Sequence, residues 1–217
     1  MMDMQPKVYI YIRFILFPII FVADFFQNYF TKYFTPMNMG PVSTNKFKKF
    51  LKGCFKKDSF ILDFGCGAGY FSTLFDPKKY VGIDINKSFI NLAKSRYANY
   101  KFYNFDEKKL LKEYKNKINY ILINNVIHHL NKNQLKENFL FIKNNCNENT
   151  TLIIIEPLMP KKILSFEFFM KVLDIRNYIT NQNGYKNRLE KHLKINKAKV
   201  EKFSIGSTLI LTCKFKR

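Results

Sequence analysis

ILDFGCGAGYFS, residues 61–72, decides how the chain folds. An apolar run closes on an acid, Asp63, and is followed by Gly65, Gly67 and Gly69 before a segment read as a helix over 70–75. Glycines at this spacing let the backbone take φ values closed to other residues and pass close to a ligand, so a nucleotide-like molecule is expected over the turn. Nineteen residues beyond Gly65 the run YVGID (80–84) ends in Asp84. A carboxylate at the C-terminal edge of that strand can accept hydrogen bonds from both hydroxyls of a ribose. Dinucleotide sites favour GxGxxG, because a pyrophosphate rests on the helix N-terminus; here the order is GxGxG with an acid two residues ahead. Asp63 would repel a phosphate and is suited instead to orienting the turn or receiving a cationic amino group, directly or through water.

Outward from this turn, short β-rich runs alternate with longer amphipathic ones. A basic helix is expected at 44–53, strands at 59–64, 79–84, 100–104, 118–124 and 150–156, helices at 87–97 and 132–145, and a short polar segment before the fourth strand. This βαβ rhythm predicts a Rossmann-like doubly wound α/β sheet, parallel in strands 1–5 and buried on both faces. From Pro157 the rhythm changes. Helical stretches at 161–173 and 181–193 precede strands at 198–204 and 207–215, and the last two are so closely joined that an antiparallel hairpin is expected.

The chain divides on this reading into an N-terminal apolar and aromatic segment with a linker (1–43) and a main domain (44–217), in which 157–193 is a helical insertion. Residues 8–22 are the most apolar run, but Arg13 and Pro18 interrupt it and its 15 residues fall short of the roughly 20 a bilayer span needs. No signal-peptide pattern is present. A helix packed on the domain, a helix lying in a membrane interface and an anchor stay open for this segment. The four cysteines show no CxxC pair, which fits free thiols in a reducing compartment, the cytoplasm, and no metal site is legible.

The 217 residues carry a net charge of +21, with 37 Lys and Arg against 16 Asp and Glu. The excess is unevenly spread: +7 in residues 1–57, +4 in 58–160 and +10 in 161–217. A codon bias would act evenly, so the flanks are candidates for meeting something anionic, such as the inner face of a membrane.

The motifs together resemble the class I S-adenosylmethionine-dependent methyltransferases over about residues 58–156. ILDFGCGAG looks like their first motif, VGIDIN like the second and FYNFD (102–106) like the site after the third strand. ILINNVIHHL (121–130) and TLIIIEP (151–157, with Thr150 before it) are similar to their fourth and fifth strands. The resemblance implies S-adenosylmethionine as cofactor. It assigns Gly65, Gly67 and Gly69 to backbone contact with that cofactor, alongside Asp63, and Asp84 to its ribose, with the neighbouring Ile85 among the cofactor-binding residues. Asp106 falls to the adenine amino group and Asn124 to the methionine end. Asn119 departs from the acid the family often carries where the fourth strand begins, at a position far from the cofactor. The stretch 174–189 is similar to methyltransferases encoded with polysaccharide-assembly genes.

His128 and His129 follow the fourth strand on the ligand edge, and either imidazole is a candidate base for the acceptor; the alternative is that the pair shapes the loop. Asp106 likewise has an alternative as a helix cap before Glu107. Asp58, Glu156 and His192 carry no motif beyond a surface or hydrogen-bonding role. The expected acceptor is a small or lipid-linked molecule methylated on oxygen, with peripheral contact to an anionic membrane. Nucleic acid is disfavoured, because Asn124-Asn125-Val126-Ile127 lacks the Asp/Asn-Pro-Pro-aromatic motif of base amino methylation. An RNA methyltransferase of another type, a nicotinamide-dependent oxidoreductase and a non-catalytic membrane module are the rival readings, and oligomeric state is not legible.

Overall fold

The computed structural model describes residues 41–160, 178–203 and 206–216. The first 40 residues, including the apolar run 8–22, and the expected helix 161–173 lie outside the described residues.

The basic helix opens with Pro41, whose missing N–H is no loss in a first turn, and α1 runs Pro41–Gly53. Strands β1 (Phe60–Phe64), β2 (Tyr80–Asp84), β3 (Lys101–Asn104), β4 (Ile118–Asn124) and β5 (Thr151–Pro157) are all parallel. Helix α2 (Lys87–Arg96) follows β2, α3 (Lys132–Asn144) follows β4, and α4 (Gln182–Leu189) precedes the antiparallel hairpin of β6 (Leu193–Phe203) and β7 (Gly206–Phe215). The order across the seven-stranded sheet is β3-β2-β1-β4-β5-β7-β6. Strand order reverses between β1 and β4, the place in an open α/β sheet where the loops part and a ligand can enter.

The expected doubly wound sheet is what forms, with a core on each face. Leu62, Ile83, Ile121, Ile123, Leu152 and Ile154 meet α3 and α4 through Leu135, Phe139, Tyr185 and Leu189. On the other side Ile61, Leu122, Ile153 and Ile155 meet α1 and α2 through Leu51, Ile90 and Ala93. Alternate residues of one strand thus serve opposite cores, which is why the strands read as continuous apolar runs.

Three local expectations are corrected. The predicted helix 70–75 is only a single 3-10 turn, Ser72–Leu74. All its residues but Leu74 are aromatic, small or β-branched, its N-cap Phe71 provides no side-chain bond, and a second turn capped by Asp76 begins at Pro77, so too few residues remain to propagate an α-helix. The predicted helix 181–193 stops at Leu189, and β6 begins at Leu193 rather than 198. Pairing of Leu193 with Phe215 and Ile195 with Cys213 extends the strand, with a register shift between Ile195 and Lys197. A side chain also patches the sheet at a register shift between Phe60 and Ile61, where the Phe60 N–H donates to Asn119 Oδ1 at 2.7 Å.

Candidate active site

The glycine turn is held by its neighbours on both sides. Gly65, Gly67 and Gly69 have φ of +82°, +54° and +75°. A Cβ on Gly65 would lie 2.3 Å from Val126 Cγ2, and one on Gly69 would lie 2.7 Å from Phe102 Cζ, so these two are small because protein packs against them. Gly67 differs: nothing lies within 4 Å of its would-be Cβ. The turn folds back on β2, where Gly65 N and Cys66 N both donate to Ile83 O at 2.8 and 3.1 Å. Gly82 permits that approach, since a Cβ there would meet Cys66 Sγ at 2.8 Å, a role the sequence reading missed.

Asp84 ends β2 pointing at this turn. Its Oδ2 accepts from Gly67 N and its Oδ1 from Asn86 N, both at 2.8 Å. Burial pushes its pKa up, opposed by these backbone donors. An ionised carboxylate offers about four acceptor positions, so roughly two remain for hydroxyls. Beside it Ile85 is 80 % exposed, a large apolar side chain with a bare face. The peptide carrying it is held by Asn104 on β3, whose Nδ2 donates to Asp84 O and Ile85 O at 3.1 and 3.0 Å. Asn104 Oδ1 accepts from Asp106 N, and Glu107 closes the box on Asn104 N. The cap expected of Asp106 is therefore supplied by Asn104. Asp106 itself is exposed, 3.1 Å from Lys87 Nζ.

Asp63 sits differently from a freely accessible ligand group. It is 2 % exposed and accepts from the Tyr80 hydroxyl at 2.7 Å. Burial, reinforced by the nearby Asp84 charge and opposed by the Tyr80 bond, pushes its pKa up to about 7. Of its two expected roles, this burial suits orienting the turn.

At the end of β4, Asn124 Oδ1 is buried without a hydrogen-bond partner. Asn125 takes a left-handed φ of +57°, which turns the chain into a short 3-10 segment, Ile127–His129. His128 is 3 % exposed and His129 is exposed, with ring centroids 4.0 Å apart. Glu156, at the end of β5, is fully buried. Its Oε1 accepts from Val126 N and Ile127 N at 3.0 and 2.7 Å, and its Oε2 from His128 N at 3.3 Å and against His128 Nδ1 at 2.6 Å. Of the surface and hydrogen-bonding roles expected for Glu156, the structure shows the second, in a buried position; the signal in the sequence was a lone carboxylate following the apolar run Leu152–Ile155. Arg188 of α4 was also missed. It donates to Leu130 O at 2.6 Å, Ile127 O at 3.4 Å and Tyr178 O at 3.3 Å. Asp58 pairs with Lys79 at 2.9 Å, and His192 packs on Phe139 away from this edge.

A family model described as a methyltransferase domain matches residues 55–203. The chain belongs to the class I S-adenosylmethionine-dependent methyltransferases. The nicotinamide-oxidoreductase and non-catalytic readings fall with that assignment. No curated protein sequence matches this methyltransferase. Among solved structures it is similar to the PH0226 protein from Pyrococcus horikoshii OT3, with 20 % identity, a TM-score of 0.65 and 89 % and 99 % of the two chains covered. It also resembles the mitomycin 7-O-methyltransferase MmcR, with 14 % identity and a TM-score of 0.64; the match covers 86 % of this chain and 60 % of that one. Magnesium protoporphyrin IX methyltransferase from Synechocystis PCC 6803, solved with bound S-adenosylhomocysteine, aligns at 18 % identity and a TM-score of 0.54 over 81 % and 84 %. At these identities the likeness is one of fold.

The residues present fit S-adenosylmethionine. A methyltransferase of this class needs a backbone cradle, a ribose acceptor, an apolar face for adenine and an acceptor for the ammonium group. The open side of Gly67, the two remaining positions on Asp84, the bare face of Ile85 and the unpartnered Asn124 Oδ1 offer one of each. Among the described residues no cluster of His, Cys, Asp and Glu could hold a metal ion, and no helix is long and apolar enough to cross a membrane.

Proposed function

We propose that this enzyme methylates a hydroxyl oxygen of a small-molecule or lipid-linked acceptor, with the histidine pair at the end of β4 taking the proton. When bound, S-adenosylmethionine supplies an electrophilic methyl group, so the chain's own task is to place the acceptor atom, exclude water and remove a proton. The observation that carries the reading is the buried imidazole of His128 tilted against the exposed His129, four residues past the Asn124 that ends the strand. A neutral hydroxyl attacks poorly unless its proton has somewhere to go, and an imidazole suits that transfer near neutral pH. In this reading Gly65, Gly67, Gly69, Asp84, Ile85, Asp106 and Asn124 hold the cofactor, and Asp63 braces the turn through Tyr80.

Charge supports an anionic acceptor or membrane. Lys46, Lys49 and Lys52 of α1 and Lys194, Lys197, Lys199 and Lys202 of β6 are all exposed. Transfer from methyl-tritiated S-adenosylmethionine to a panel of phenols, sugar alcohols and polyprenyl lipids tests the acceptor class. Label recovered in an ether product supports the proposal, and label entering RNA alone overturns it. Sedimentation of the full chain with anionic and with neutral vesicles tests the membrane, where equal partitioning removes that part.

A further inference from the structure

We propose that Glu156 and Arg188 are positioning residues that clamp the 126–130 turn from its two ends, and that Glu156 fixes the tautomer of His128 so that Nε2 bears the lone pair. The inference rests on the proton-accepting role just proposed for the histidine pair and names the nitrogen that performs it.

Glu156 is fully buried; three consecutive backbone amides, Val126, Ile127 and His128, donate to its two oxygens, and the ring nitrogen Nδ1 of His128 lies 2.6 Å from Oε2. Buried acids survive ionised where several donors surround them, and an ionised carboxylate can only accept. The ring nitrogen facing it must then be the donor. A neutral imidazole with its proton on Nδ1 carries its lone pair on Nε2. The opposite end of the turn presents carbonyls, and there the guanidinium of Arg188 donates to Leu130 O and Ile127 O. It also donates to Tyr178 O and stacks over the Tyr178 ring, 5.3 Å from its centroid, while Tyr178 N donates to His128 O at 2.7 Å. The N–H end of the turn therefore meets an anion and the carbonyl end a cation, the polarity a short helix favours. A carboxylate needed only for its backbone bonds would leave the ring free to carry its proton on either nitrogen. The clamp makes a narrower claim, and it can be read spectroscopically without any acceptor.

The full chain holds three histidines, 128, 129 and 192, so labelling histidine rings with nitrogen-15 gives three assignable systems in the long-range proton–nitrogen spectrum. Single His→Asn substitutions assign them. In its neutral form His128 is expected to show a protonated Nδ1 and an unprotonated Nε2. In Glu156→Gln the amide nitrogen would face Nδ1 as a donor, and the bare-nitrogen resonance should move from Nε2 to Nδ1. Glu156→Asp, which keeps an acceptor, should retain the original pattern. A bare Nδ1 in the unmodified protein overturns the proposal even if neither variant folds, and so does a tautomer indifferent to Glu156→Gln in a folded variant. Calorimetry with S-adenosylhomocysteine on the same samples separates this inference from the cofactor site. Binding with the wrong tautomer sinks only the clamp, whereas the right tautomer without binding sinks the assigned cofactor cradle.

Discussion

Replacing Gly65 and Gly67 separately by alanine should have opposite consequences, although the two lie two residues apart in one turn and both have positive φ. At Gly65 the new methyl would sit 2.3 Å from Val126 Cγ2 and 3.5 Å from both Val126 Cβ and Cγ1. Val126 has little room to retreat, because its N–H is held by Glu156 at 3.0 Å. Overpacking of this kind costs about 1–3 kcal/mol, and the left-handed backbone adds about 1–2 kcal/mol. The smaller entropy of an unfolded alanine returns about 0.4–1 kcal/mol. Gly65→Ala should therefore lose about 2–4 kcal/mol. At roughly 2–4 °C per kcal/mol for a chain of this size, its melting midpoint should drop by about 5–15 °C. At Gly67 the methyl enters open space, so the left-handed cost is nearly offset and the midpoint should move by no more than about 4 °C. That open space is where the cofactor is placed, so Gly67→Ala should bind S-adenosylhomocysteine at least about tenfold more weakly, a loss of about 1.4 kcal/mol or more. Scanning calorimetry and titration calorimetry on the two variants decide the matter. Undiminished affinity in Gly67→Ala, or a loss of stability equal to that of Gly65→Ala, would refute the assignment of the turn's open side to the cofactor.

Four further outcomes are expected. Asp84→Asn sets an amide N–H₂ against the Gly67 or Asn86 N–H and removes the charged ribose acceptor, so titration should show S-adenosylhomocysteine bound about 1–3 kcal/mol more weakly; unchanged affinity contradicts the ribose role. Ile85→Ser should weaken the same binding by about 1–2 kcal/mol while leaving the melting midpoint in place, because the side chain is 80 % exposed before binding. Arg188→Met takes one donor from each of three carbonyls, of which Ile127 O keeps the Leu130 N–H, and should lower stability by about 1–2 kcal/mol in urea titration, where an unmoved midpoint would show that α4 is not anchored through this side chain. Asp63 has a native pKa raised to about 7, so the native state holds its proton more tightly than the unfolded chain does: its contribution is complete below about pH 4 and is lost as pH rises through about 7. Asp63→Asn keeps an acceptor for Tyr80 and should lose that slope, gaining stability relative to the parent at pH 8 compared with pH 5; parallel pH profiles would exclude Asp63 as the titrating group.

What could be read from the sequence was whatever is local and periodic. The glycine turn and Asp84 announce themselves because a backbone bend and a strand-end acid leave their mark within a few residues, and the parallel strands because burial on both faces makes each an unbroken apolar run. Glu156 was passed over because its partners are backbone amides 28 to 30 residues earlier, and amides have no letter in a sequence. Arg188 was invisible for the same reason, its acceptors being carbonyls. The start of β6 was misplaced because Leu193 and Ile195 read equally as the end of a helix, and only pairing with Phe215 and Cys213 resolves them as strand. Asn104 was missed because a polar residue ending a strand looks like any loop entry until its two faces are seen to bind two different peptides.

These long-range contacts share a design that bears on how the site works. A parallel strand ends with its last peptide groups unpaired, and three polar side chains take up that duty at the ligand edge. Asp84 ties β2 to the glycine turn, Asn104 ties β3 to the peptide carrying Ile85, and Glu156 ties β5 to the histidine turn. Each bond reaches across to a neighbouring strand's loop, so the glycine turn, Asp84 and the histidines are fixed relative to one another before any ligand arrives. Methyl transfer depends on placing two reacting atoms in line, and rigidity set in advance spares the ligands the cost of ordering these loops on binding. Gly65 completes the linkage from the other side: with no Cβ of its own it lets Val126 close against the glycine turn, and Val126 is the first residue whose amide Glu156 holds. A disturbance at Glu156 should therefore reach the glycine turn through Val126, which joins the two halves of the site by direct contact.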